Sequence, residues 1–208
     1  MSKEKLSLAI EIAVALVALV SVYFIFAGSP DIRNYPPKEG PIVFLGDSLV
    51  QGTGATAGND LPALLSRAVG KTVENFGVSG DTTALGLARL DSVIAREPSV
   101  AIVLLGGNDY LRKVPIDETF ANLRTIINRL QGSGAVVLLV GIRGGLLSDA
   151  FDERFSDLAD ETGSAHVPDA LRGLVADGRY MSDAIHPNDA GYARLAERIR
   201  PTLEKLMR

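Results

Sequence analysis

The chain has 208 residues, 47% of them apolar and 22% charged, with 21 Gly, 10 Pro and no Cys. That leaves ample apolar area to bury and no sustained heptad, which excludes a disordered, collagen-like or coiled-coil protein; the length suits one domain plus a short appendage. A net charge of −4 lacks the basic face that nucleic acids need, and the absence of thiols removes disulfides, thiolate metal sites, a Cys nucleophile and a lipid-modified N-terminal Cys.

Leu6 to Ala27 (LSLAIEIAVALVALVSVYFIFA) carries one charge, Glu11, in 22 residues. As a helix rising about 1.5 Å per residue it would measure roughly 33 Å, enough for a hydrocarbon core of about 30 Å. Lys3 and Lys5 precede it, so the positive-inside rule puts the N-terminus in the cytoplasm and the rest of the chain across the membrane. A cleaved signal peptide is the rival reading, with poor cleavage sites around Ala27, and a buried core helix is a third. The expectation is an exported domain, anchored in the inner membrane through residues 1–28 or secreted if that segment is removed. Residues 29–41 hold four prolines and little apolar matter, so 29–40 reads as a Pro-rich extended tether and 41–208 as the domain.

Within the domain, strand-length apolar runs stand at 42–45, 72–76, 100–105 and 135–140, with a weaker one at 164–167. Helical spacing occupies 60–69, 82–96, 117–131, 149–162 and 188–207, with Asp60, Asp81 and Asp117 as candidate N-caps. Strands that are apolar throughout belong to a parallel sheet covered on both faces. Repeated strand–helix units then predict an α/β protein, a three-layer α/β/α sandwich around a mostly parallel five-stranded sheet. Such sheets bind ligands at the carboxyl ends of their strands.

The segments at that edge are Gly46-Asp47-Ser48-Leu49, Gly77-Val78-Ser79-Gly80-Asp81-Thr82 and Gly106-Gly107-Asn108-Asp109, with Asp183-Ala184-Ile185-His186-Pro187 before the last helix. Together they hold the parts of an acyl-transfer site. A serine hydroxyl needs an imidazole to take its proton, and the imidazole needs a carboxylate to fix its tautomer. Ser48 is the candidate nucleophile, and the base is one of the only two histidines, His186 or His166. Asp183, three residues before His186, lets both approach from one loop. The N–H groups of Ser48 and Gly80 and the amide of Asn108 are candidate oxyanion donors.

These four blocks resemble the signature blocks of the SGNH/GDSL hydrolases. The stretch Asn75–Leu90 (NFGVSGDTTALGLARL) is most similar to the branch of the bacterial multifunctional thioesterase–protease–lysophospholipases and arylesterases. The resemblance spans 41–206, with the blocks in the family's order. It implies a flavodoxin-like sandwich, a Ser48–His186–Asp183 triad with Ser48, Gly80 and Asn108 as oxyanion donors, and no cofactor or metal. The expected activity is hydrolysis of carboxylic esters or thioesters, on a small or lipid-like substrate, by an acyl-enzyme on Ser48. A deacetylase of envelope polysaccharide using the same triad is the alternative, and a monomer is the default.

Other residues have plainer readings. Asp47 and Asp109 read as structural acids bonding local backbone N–H groups, and His166 as a structural histidine. Arg112 and Arg143 read as solvated loop arginines, with contact to a substrate anion as the alternative. Gly52-Thr-Gly-Ala-Thr-Ala57 matches a dinucleotide fingerprint, but GDSLVQ separates it from the strand end, so it reads as a loop shaping the surroundings of Ser48. A non-catalytic scaffold would show a broken triad, and here the set is intact.

Overall fold

Five short apolar runs become five strands in the computed structural model, which describes residues 31–142 and 150–208. They are β1 (Ile42–Gly46), β2 (Val73–Gly77), β3 (Val100–Leu104), β4 (Val136–Val140) and β5 (Ala165–Val167). All pair in parallel, in the order β2-β1-β3-β4-β5. Gly46 lies level with Gly77 on one side and Leu104 on the other, so three strands end together. Every residue of β1, β3 and β4 is buried. Successive strand residues face opposite ways, so both faces of the sheet are covered.

The covering helices are α1 (Ser48–Gln51), α2 (Leu61–Val69), α3 (Thr83–Ala88), α4 (Leu90–Ile94), α5 (Gly107–Leu111), α6 (Ile116–Gly132), α7 (Ala150–Thr162) and α8 (Asp189–Leu206). They form two packed groups, α2 with α8, and α6 with α3 and α7. Asp60 caps α2 as expected, accepting from the Ala63 N–H at 3.0 Å. Two other caps differ. Thr82, not Asp81, caps α3, because the Asp81 carboxylate is drawn to Arg89; Pro115 precedes α6, leaving Asp117 in its first turn. The expected helix 82–96 is broken at Arg89, whose ψ of 9° ends α3 and starts α4.

Residues 32–40, expected as a tether, are bonded to the domain. The Asn34 amide donates to the carbonyls of Gln131 and Ala135 at 2.8 and 2.9 Å, and the Gly40 carbonyl accepts from Ser99. Ile32 packs on the core. The Asn34 amide spends both its hydrogens on these carbonyls, one in the last turn of α6 and one just before β4, which composition alone does not reveal. The Leu6–Ala27 run lies outside the described residues, as do residues 143–149 with Arg143. Among the described residues no helix is long and apolar enough to cross a membrane.

Candidate active site

The site is built where β1, β2 and β3 end. A Cβ on Gly46 would lie 2.2 Å from Val50 Cγ2, and one on Gly77 would lie 2.1 Å from the Gln51 nitrogen. Only glycine fits at either place, and the pair lets α1 sit directly on the strand ends. Ser48 therefore opens a helix immediately after β1. It is largely buried, and Asp47 before it accepts the Leu49 N–H at 3.0 Å.

His186 meets this turn from the loop before α8. Its Nε2 lies 3.1 Å from Ser48 Oγ, and its Nδ1 lies 2.7 Å from Asp183 Oδ2. The other carboxylate oxygen of Asp183 accepts the N–H groups of Ile185 and His186 at 2.8 and 2.7 Å. The imidazole bond, followed by these two N–H bonds, holds the Asp183 carboxyl down to about 2. An ionised carboxylate can only accept, so Nδ1 carries a proton and Nε2 presents its lone pair to the Ser48 hydroxyl.

Gly80, with φ +83°, and Asn108, at the start of α5, complete the rim. Among the described residues neither the Ser48 nor the Gly80 N–H is spent on an internal acceptor. The Asn108 amide donates to Asp81 O at 3.0 Å and to Asp47 Oδ2 at 3.2 Å. Asp47 is 2% exposed, and burial pushes its carboxyl up to about 6 against the opposing pull of the Leu49 N–H, Asn108 and the His186 charge. Asp47 thus bonds more than the local backbone.

A cavity of about 340 Å³ opens beside Ser48 and His186, walled by Tyr110, Leu111, Ile142, Phe151, Val175 and Ile185. Phe151 meets Tyr110 and Phe120 edge-on, each at 5.6 Å between centroids, which stiffens one wall. Nothing in the motif pattern marks these positions, because they come together from five separate segments.

The remaining sequence candidates fall elsewhere. Asp109 is structural as expected, but across elements: it accepts the Thr83 N–H at 2.8 Å and the Thr83 hydroxyl at 2.6 Å. His166 sits on β5 with its Nε2 buried and unpaired, and desolvation pushes its pKa down. Arg112 is exposed, as expected of a solvated loop arginine, and also donates to the Gly80 carbonyl at 2.7 Å. The 52–57 loop is tied to α8 through Thr56 and Asp189, and Gly54 packs against Ser182 and Pro187 beside His186. Among the described residues no group of three or more His, Asp or Glu is placed to hold a metal ion.

Sequence reasoning missed Arg89. Its guanidinium donates to Gly46 O at 3.0 Å, Phe76 O at 2.9 Å and Asp81 at 2.6 Å, sewing the ends of β1 and β2 to the loop that carries Gly80. Its helical spacing hid it, since an arginine on a helix ordinarily faces solvent.

Residues 44–194 match the model of the GDSL-like lipase/acylhydrolase family. The chain belongs to that family. Esterase TesA of Pseudomonas aeruginosa is 34% identical over 178 residues, which are 80% of this chain and 89% of that protein. Thioesterase 1/protease 1/lysophospholipase L1 of Escherichia coli K12 is 33% identical over 80% of this chain and 84% of its own length. A crystal structure of TesA superposes with a TM-score of 0.75 at 32% identity, covering 80% of this chain and 99% of that one. Like the GDSL-like hydrolases it resembles, this chain is a carboxylic ester hydrolase with a five-stranded parallel sheet.

Proposed function

We propose that hydrolysis proceeds through an acyl-enzyme on Ser48, and that the acyl group is an apolar chain longer than acetyl. One observation carries the first part: the hydrogen-bonded row Asp183–His186–Ser48, at 2.7 and 3.1 Å. As Ser48 Oγ attacks the carbonyl carbon, His186 Nε2 takes its proton, and Asp183 steadies the imidazolium. The carbonyl oxygen becomes an oxyanion received by the N–H groups of Ser48 and Gly80 and the Asn108 amide. When the tetrahedral intermediate collapses, the bond to the leaving alcohol or thiol breaks and His186 returns the proton to it. Water then repeats the sequence on the acyl-enzyme, freeing the carboxylic acid and Ser48.

The apolar cavity beside Ser48 supports the second part. Each methylene buried there is worth about 0.8 kcal/mol, or roughly fourfold in kcat/KM. A polysaccharide deacetylase has no use for such a wall. The test is a series of para-nitrophenyl acetate, butyrate, octanoate and palmitate, run on the full chain beside Ser48→Ala. Turnover should rise from acetate to octanoate, and the variant should lose kcat by about 10³–10⁶-fold while staying folded. Full activity in the variant would sink the acyl-enzyme; turnover of acetate alone would replace the acyl-chain reading with the deacetylase.

The proposal includes export. The 22-residue apolar run behind Lys3 and Lys5 supports it, as anchor or as cleaved signal. Protease added to intact spheroplasts should then digest the domain, and complete protection would overturn export.

A further inference from the structure

Among the described residues, Arg33, Arg172 and Arg208 are the arginines whose guanidinium has no acceptor; all the others bond a carboxylate or a backbone carbonyl. Arg33 and Arg208 stand near the two ends of the described chain, and neither lines the cavity beside Ser48. Arg172 does line it, in the segment after β5 that also supplies Leu171 and Val175. Arg112, the sequence candidate for a substrate anion, is outside that lining and donates to the Gly80 carbonyl. We propose that Arg172 is a specificity-determining residue that receives an anionic oxygen group carried by the ester. The inference rests on the acyl-enzyme reading above and on the cavity as the place of the acyl chain.

The backbone beneath Arg172 is held while its head is left open. Its N–H donates to the Asp169 carbonyl at 3.0 Å, and its carbonyl accepts from Arg198 of α8 at 2.7 Å. Arg198 also bonds the carbonyl of Ala170, which is fully buried. The side chain therefore starts from a fixed point and stands exposed at the mouth of the cavity. Both carboxylates of the lining, Asp47 and Asp169, are buried, so no exposed acid on the wall competes for it. Covering apolar surface would use only the stem, which Lys or Met supplies as well. What Arg adds is a planar fork of parallel N–H donors, and that geometry matches a carboxylate or phosphate.

Either side of an ester can carry the anion, and matched pairs separate them. On the acyl side, para-nitrophenyl half-esters of adipic, suberic and sebacic acid are set beside the neutral hexanoate, octanoate and decanoate. On the leaving side, 4-carboxyphenyl octanoate is set beside its neutral methyl ester. With the full chain, Arg172→Gln should raise KM about three- to tenfold for the anionic members of at least one set. The contact lies away from the reacting atoms, so kcat should stay within about twofold. KM for the neutral members should move by less than about twofold. Arg172→Lys should recover part of the loss, because it keeps the charge without the fork. Added salt should shrink the difference between wild type and Arg172→Gln.

A charge-selective loss on the half-esters puts the anion at the end of the acyl chain, and one on 4-carboxyphenyl octanoate puts it on the leaving group; either supports the inference. Equal changes for anionic and neutral members, or none in either set, would overturn it. Ser48→Ala on para-nitrophenyl octanoate keeps the two levels apart. If that variant retains full activity, the acyl-enzyme reading fails and takes this inference with it. If it is inactive while the Arg172 variants are blind to charge, only the inference fails.

Discussion

Two carboxylates stand beside Ser48 and His186, one at the buried end of β1 and one in the loop before α8, and their surroundings push them in opposite directions. Asp183, with 54% of its side chain exposed, is held at about 2 by the His186 imidazole and two N–H groups. Asp47, 2% exposed, receives the Leu49 N–H and the Asn108 amide, yet desolvation lifts it to about 6. Donated hydrogen bonds dominate where water still solvates the charge, and desolvation dominates where it does not. The exposed loop thus supplies an acid ionised over the whole working range, suited to holding an imidazolium. The strand end supplies one whose ionisation burial opposes.

The largest expected effect tests the exposed acid. Asp183→Asn keeps the shape but can turn an N–H toward Nδ1, which then takes the wrong tautomer. Its kcat at pH 8 should fall by about 10³–10⁴-fold with the fold intact, and a loss under tenfold would remove the contrast between the two acids.

Next comes the sign of the pH dependence. The Asp47 carboxyl is raised from 3.8 to about 6 on folding, so the folded chain binds that proton more tightly than the unfolded one. Its ionisation destabilises the fold progressively from about pH 4 to about pH 6, and the full cost, about 3 kcal/mol, stands above that. In urea unfolding, the stability of Asp47→Asn relative to wild type should climb over this window and then level off. A flat difference would show that burial does not oppose the charge. Asp183 has the opposite sign: its contribution is complete above about pH 4 and is lost only as pH falls through about 2, so it adds no slope between pH 5 and 8.

The smallest effect concerns the frame that both acids depend on. Arg89→Met leaves the carbonyls of Gly46 and Phe76 and the carboxylate of Asp81 without their guanidinium donor. The Gly80 loop and the Asp81 grip on Asn108 should loosen, lowering kcat by about tenfold, with some loss of stability from the unpaired groups. Unaltered kinetics would mean that the strand ends hold the loop without it.

Much of this molecule is legible from local pattern. The runs at 42–45, 100–105 and 135–140 become the three wholly buried strands, because a strand covered on both faces has no polar side to show. Asp60 is recognisable as a cap because capping is decided within three residues. The Asp183–His186 spacing is legible for the same reason, one loop carrying both partners. Arg89 escapes because helical periodicity describes its neighbours correctly and says nothing of carbonyls on two distant strands. Asp81 is misread as a cap because its charge finds that arginine. The stretch at 32–40 looks like a linker because its holding bonds reach residues 59 or more positions away.

The sequence by itself determined the strand–helix alternation, the parallel sheet, the four motif blocks in order and the pairing of Asp183 with His186, since each is written in spacings of a few residues. Only the tertiary structure decided that His186 reaches Ser48 across 138 positions, that Asn108 is gripped by Asp47 and Asp81, and that side chains from five segments wall one apolar cavity. Those contacts depend on where strands β1, β2 and β3 end relative to one another. That register is set by packing across the whole sheet, and no local stretch of chain encodes it.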